Sequence, residues 1–250
     1  RMINHKCLFF TLSLLFVTSL GWSQQIESQD AYEYNHEFIW GINKNTAGGL
    51  IGGFVLKWSK SINERVYQTI GFELVNIKHP QETRENSNIT GNFFIFGKTN
   101  YLYSIRSQYG RDIILFRKAP QKGVEIKALL AAGPSIGLLA PYFVDYAVGG
   151  QGGPFIQSER VPYQPEIHRR DLILGTGRLF QGIQDSELRI GANFKAGLSF
   201  EFGTFKTNVS GFEVGFLLDA YSGDVVLVPG AENSSVFPTA YLTLFYGSRK

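Results

Sequence analysis

Apolar and polar positions alternate along most of the chain beyond its first two dozen residues. In RIGANFKAGLSFEFG, Arg189–Gly203, one face carries Ile190, Ala192, Phe194, Ala196, Leu198, Phe200 and Phe202, and the other Arg189, Gly191, Asn193, Lys195, Gly197, Ser199 and Glu201. Side chains on a strand point alternately to opposite faces, so a period of two predicts a strand with one apolar wall. The same rule sets Phe54, Leu56 and Trp58 against Val55, Lys57 and Ser59, and Ile70, Phe72 and Leu74 against Gly71, Glu73 and Val75. It separates Val124, Ile126, Ala128 and Leu130 from Glu125, Lys127, Leu129 and Ala131, and Phe212, Val214, Phe216 and Leu218 from Glu213, Gly215, Leu217 and Asp219. Eight strands are predicted, near Glu37–Asn45, Leu50–Lys60, Arg65–Lys78, Phe93–Arg106 with a continuation through DIILFRK, Val124–Leu139, Arg189–Phe202, Val209–Tyr221 and Val236–Gly247.

Which face is dry is a separate question. In a soluble sandwich the apolar face is the core; in a membrane barrel it meets lipid and the polar face lines the lumen. The connections favour the barrel. SINE, APQKG and GTFKT are short and fall on one rim, whereas three of the four connections on the other rim are long, among them a segment of roughly Pro141–Ser186. Short turns on one side and long loops on the other are the asymmetry of outer-membrane barrels, with the short turns periplasmic. The expected fold is therefore an all-β, eight-stranded antiparallel up-and-down transmembrane barrel spanning residues 24–250, with an extracellular loop at about 141–186.

Composition sharpens this picture. Charged residues make up 18% of the chain, below the usual share for a soluble domain, while Gly 28, Phe 21 and Tyr 12 are abundant. The polar faces mix glycine with charge, a poor choice for a solvated strand and a sensible one inside a narrow barrel. The reading seals Lys57, Lys98, Arg106, Lys127, Arg189 and Lys195 in the lumen against Glu73, Glu125, Glu201, Glu213 and Asp219. Buried charges are tolerable only when paired and hydrogen-bonded, so these are expected to form a salt-bridge network that plugs the lumen. The alternative is that they are solvated charges on a soluble β protein.

The N-terminal stretch MINHKCLFFTLSLLFVTSLGWSQQ has Lys6, then an apolar run from Cys7 to about Leu20, then Gly21 and Ser23 before Gln24. This is the pattern of a cleavable signal peptide over residues 1–23, and it implies export. Cys7 is the only cysteine, so the mature chain would have neither disulfides nor thiolate chemistry. No other stretch is long and apolar enough for a spanning helix. The net charge of +3 includes no polybasic run, so nucleic acid is not an expected partner. Aromatic girdles are expected at the headgroup levels, from Trp58, Tyr67, Tyr103, Tyr109 and Phe116 on the short-turn side and Phe93, Phe94, Tyr142, Phe143, Tyr221 and Phe237 on the other. Pro134 and Pro238 lie inside predicted strands, and a bulge or strand end is expected at each.

In FRKAPQKGVEIKALLAAGPSIGLLAPYFVDY, KAGLSFEFGTFK, GFEVGFLLDAY and FPTAYLTLFYGSRK, the chain resembles the small outer-membrane β-barrel proteins common in Bacteroidota. The likeness is one of texture and ordering over most of the mature chain. It implies an eight-stranded barrel with a role in envelope structure, or as a subunit of a secretion or outer-membrane assembly machine. One departure is the end, where Phe245 and Tyr246 are followed by GSRK instead of closing on an aromatic residue.

Catalytic signals are weak. His36, His79 and His168 have no metal-ligand spacing, and GGQGG at 149–153 lacks the Lys-Ser/Thr of a phosphate loop. Neither a metal nor another cofactor is expected. His168, beside Arg169, Arg170 and Asp171, is the best candidate for a rim enzyme acting on lipid or peptide. A basic short-turn rim includes Lys60, Arg65, Arg111, Arg249 and Lys250, with Arg117, Lys118, Lys122 and Lys206 as a possible docking face for a periplasmic protein. The alternative is lysines and arginines snorkelling to lipid headgroups. The expected role is a non-enzymatic scaffold or subunit of an envelope complex, in contact with outer-membrane lipid; a small-solute channel and an outer-leaflet enzyme are the alternatives.

Overall fold

The computed structural model describes residues 34–48, 52–118, 123–148, 157–178, 180–202 and 207–250. The proposed signal peptide lies outside them, as do Lys122, Lys206 and the glycine-rich 149–153 stretch. The strands in chain order are β1 His36–Asn45, β2 Gly53–Asn63, β3 Val66–Ile77, β4 Thr83–Asn86, β5 Phe93–Phe96, β6 Asn100–Phe116, β7 Glu125–Pro141, β8 Phe143–Val148, β9 Gln157–Pro162, β10 Ile173–Thr176, β11 Glu187–Phe202, β12 Asn208–Val225 and β13 Ser234–Arg249.

Eight of these close into one antiparallel barrel in the order β1-β13-β12-β11-β7-β6-β3-β2. Closure is made by β1 and β13, paired from Glu37↔Arg249 to Asn45↔Tyr241. The barrel is inside out relative to a soluble protein. Phe216 is 74% exposed and Ile190 73%, while Glu73 is 1% and Asp219 0% exposed. Trp40, Phe54, Trp58, Phe72, Leu130, Phe194 and Leu244 share the exposed outer wall. A continuous apolar wall around a charged interior is stable only where the wall is out of water. The molecule is thus a transmembrane barrel of the outer-membrane type, and the soluble-sandwich alternative is excluded.

Inward Gly191 and Gly197 make room for aromatic rings. A Cβ on Gly197 would come within 2.6 Å of the Tyr241 hydroxyl, and one on Gly191 within 2.7 Å of the Tyr221 ring. Both prolines sit within strands, and neither needs a strand end. Pro238 lies beyond the last pair with β1, Tyr241↔Asn45, and is held on its other side by Leu218 of β12. At Pro134 the β7 ladder to β6 skips between Arg106↔Ser135 and Tyr109↔Ala132 without changing register. Asn193 Nδ2 donates to the Gly133 and Pro134 carbonyls there, at 3.0 and 3.1 Å.

The strand expected at Phe93–Arg106 is two elements. Phe93–Phe96 pairs with Thr83–Asn86 as a loop hairpin, and Gly97, at φ +75°, turns the chain before β6 begins at Asn100. Only glycine adopts that left-handed backbone cheaply. The segment 142–186 also carries structure: β8 pairs with β9 and β10 in a three-stranded sheet. The girdle expectation needs the same correction. Tyr67, Tyr103, Phe94, Tyr142, Tyr221 and Phe237 are buried, and Tyr103 pairs with Leu138 toward the loop end, not the short-turn end.

Candidate functional site: a sealed lumen under a folded loop cap

The inward face of each strand contributes its charges at a height set by register. Across the middle of the lumen runs one alternating chain. Lys57 Nζ lies 2.9 Å from Asp112 and 3.4 Å from Glu213; Lys195 Nζ lies 2.7 Å from Glu213 and 2.6 Å from Glu73. Arg106 continues it, with Nη1 3.0 Å from Glu73 and Nε 2.9 Å from Asp219, whose other oxygen takes Nη2. The sequence Asp112, Lys57, Glu213, Lys195, Glu73, Arg106, Asp219 never places like charges side by side, which is what makes so much buried charge tolerable. Neutral groups add hydrogen bonds beside it. The Tyr241 hydroxyl donates to Glu213 at 2.9 Å, and Gln108 Nε2 donates to Asn193 Oδ1 at 3.0 Å.

A second cluster closes the short-turn end. Arg249 reaches Glu37 at 2.9 Å and Glu125 at 3.4 Å, and also binds Glu201. Lys127 Nζ lies 3.3 Å from Glu37 and 3.4 Å from Glu125. The Tyr34 ring sits 3.9 Å beneath the Arg249 guanidinium and stacks on Tyr67. At the opposite end an apolar cork replaces charge. Val75, Ile77, Leu102, Leu139 and Phe237 pack with Leu227 and Val228, which the 226–233 connection folds inward. Asn233 pins that connection, its Oδ1 accepting from Leu227 N and its Nδ2 donating to the Val228 carbonyl, both at 2.9 Å.

Among the residues singled out from sequence, Lys57, Glu73, Arg106, Glu125, Lys127, Lys195, Glu201, Glu213 and Asp219 lie in these two clusters. Arg189 and Lys98 do not. Arg189 shares the inward face but lies at the loop-end rim, paired 3.0 Å from Glu187. Lys98 is buried beneath the loops, 2.6 Å from Glu82 and 4.2 Å above the Tyr101 ring. Burial there pushes its ammonium below the ordinary lysine range, and Glu82 offsets this only in part. Sequence reasoning missed Glu37 and Asp112, and it placed Arg249 on the basic rim, whereas its guanidinium is buried among the lumen carboxylates. The signal was present, because Asp112 shares the face of Arg106 and Arg249 that of Tyr241; the alternation had only to be carried to the strand ends. Of the expected docking face, Arg117 donates to the Glu64 carbonyl and Lys118 turns inward onto Glu201. Lys122 and Lys206 lie outside the described residues.

Above the cork, β4–β5 and the β8–β9–β10 sheet enclose their own core of Phe94, Ile95, Tyr142, Val144, Tyr163 and Ile173. Tyr142 is its hub. Its hydroxyl accepts from Ile95 N at 3.0 Å, and its ring meets Tyr101 and Tyr163 edge-on. His168 belongs to this cap. Its Nδ1 accepts from Gln164 N at 3.0 Å, and its ring packs on Tyr146 and Tyr163. Truncating a buried aromatic costs about 3–5 kcal/mol. Tyr142→Ala is therefore expected to open the 142–186 segment to limited proteolysis while the barrel keeps its protease resistance. Cleavage at the wild-type rate would show that Tyr142 does not hold the cap.

Neither a family model nor a curated protein matches the chain. Solved structures similar to it include Ail, the attachment invasion locus protein of Yersinia pestis, in complex with the heparin analogue sucrose octasulfate. That match is 12% identical, covers 87% of this chain and 100% of that one, and has a TM-score of 0.38. Neisserial surface protein A is 12% identical over 87% of this chain and 97% of its own, with a TM-score of 0.37. The Yersinia pestis outer membrane protein Ail in a phospholipid bilayer nanodisc is 15% identical over 87% and 100%, with a TM-score of 0.34.

Proposed function

We propose that the chain is a non-enzymatic outer-membrane barrel of the small Bacteroidota type, acting as a scaffold or subunit of a cell-envelope complex through its loop cap. The observation that carries this reading is the ion chain from Asp112 to Asp219, which fills the lumen where a pore would need water. A barrel closed by charge in the middle and by an apolar cork at the loop end works as a rigid post. Its contact surface is then the folded cap. The position of His168, with one nitrogen engaged and its ring packed between tyrosines, supports a structural role over a catalytic one.

Two measurements test the reading. In planar bilayers the folded protein is expected to give no single-channel steps; regular steps would favour the small-solute channel. In mild-detergent extracts of the native membrane, it is expected to co-purify stoichiometrically with another envelope protein, and to lose that companion in the Tyr142→Ala variant. Recovery of a pure monomer from cross-linked and native extracts alike would overturn the scaffold role.

A further inference from the structure

The short-turn margin of the outer wall is not uniform. Register sets His36 beside Lys60, Lys60 beside Gln68, and Gln68 beside Arg111, across β1, β2, β3 and β6. Lys250 adjoins His36, the two exchanging main-chain hydrogen bonds at 2.9 Å. One step toward the membrane, the same strands present Phe38, Trp58, Ile70 and Tyr109. A recess of about 410 Å³ opens between the two rows, lined by His36, Phe38, Trp58, Lys60, Gln68 and Ile70, and reaching Lys250. On β7, β11 and β12 the corresponding outer positions are Ile126, Phe200, Ser210 and Phe212, and among the described residues none is a cation. Among the described residues, the cations of this outer margin lie on one arc.

We propose that this recess binds one anionic glycerophospholipid of the periplasmic leaflet. Lys60 and Lys250 are exposed and, among the described residues, have no ion-pair partner, unlike the lumen lysines. They fit a phosphodiester, with His36 and Gln68 able to donate hydrogen bonds to it. The Phe38–Trp58–Ile70 floor fits the first length of an acyl chain. An acidic protein would meet only the cation row and leave that floor unused, whereas a phospholipid satisfies both in the order in which they lie along the membrane normal. The site is independent of what the loop cap binds.

Trp22, Trp40 and Trp58 are the three tryptophans of the chain. In the full chain carrying Trp22→Phe and Trp40→Phe, Trp58 is the sole indole and reports on the recess. This protein would be folded into vesicles of unlabelled phosphatidylcholine containing a small, equal fraction of either dibrominated phosphatidylglycerol or dibrominated phosphatidylcholine. The phosphatidylglycerol is expected to quench Trp58 as though enriched about fivefold for each lysine that holds it. The preference should fall to onefold when Lys60→Gln and Lys250→Gln are added. Equal quenching by the two lipids in the parent would overturn the proposal whether or not the lysine variants fold. So would a preference that survives both substitutions. Lysine-dependent shielding of Trp58 by a soluble polyglutamate peptide, with no lipid preference, would assign the arc to an acidic protein instead.

Discussion

Replacing Arg106 by methionine is expected to destabilise the folded barrel by about 3–5 kcal/mol, the usual consequence of removing one partner from a buried ion pair. The side chain that replaces it is similar in length and apolar, so the loss is electrostatic, not one of volume. Glu73 keeps Lys195 at 2.6 Å, but Asp219 loses the one cation paired with it among the described residues and keeps the Ser135 hydroxyl at 3.4 Å. The double variant Arg106→Met/Asp219→Asn should therefore recover more than half of the loss, because it removes the stranded carboxylate. The measurement is a urea titration of the protein folded in vesicles, read by heat-modifiable gel mobility. A single variant as stable as the parent would mean that water already solvates the lumen charges, and the plugged-lumen reading would go with it.

Phe216→Arg is the complementary experiment on the outer wall. Phe216 sits at the middle of β12, opposite Ala196 on one side and Ala240 on the other, and is among the most exposed residues of the barrel. On a water-facing surface such a change is worth within about 0.5 kcal/mol. At the bilayer midplane it is expected to cost about 2–4 kcal/mol. The same urea titration separates the two outcomes, and a neutral result would place this face in water.

Much of the barrel was legible residue by residue. The two faces of β11 and β12 follow from alternation alone, and the unequal rims point to a membrane barrel. The errors lie where local pattern is silent. Phe93–Phe96 has the composition of a spanning strand, and only Gly97 and pairing with Thr83–Asn86 make it part of the cap. Lys98 follows a strand-like run, yet it sits under the loops because the chain has already turned. The aromatic residues mislead for a related reason. Tyr67, Tyr142 and Tyr221 are as suited to a buried hydrogen-bonded position as to a headgroup girdle, and composition does not distinguish the two.

The sequence by itself determined the strand periodicity, the number of spans and the apolar and polar face of each, because those depend on neighbours two residues apart. Only the tertiary structure decided which charges meet. Arg106 and Asp219 are 113 positions apart, and Asn43 and Thr243 are 200 apart, so their contacts depend on the shear at which the ring closes. Closure also made one arc of the wall cationic, by aligning His36, Lys60, Gln68 and Arg111 from four different strands. A single strand cannot encode that alignment, since its register exists only relative to the next.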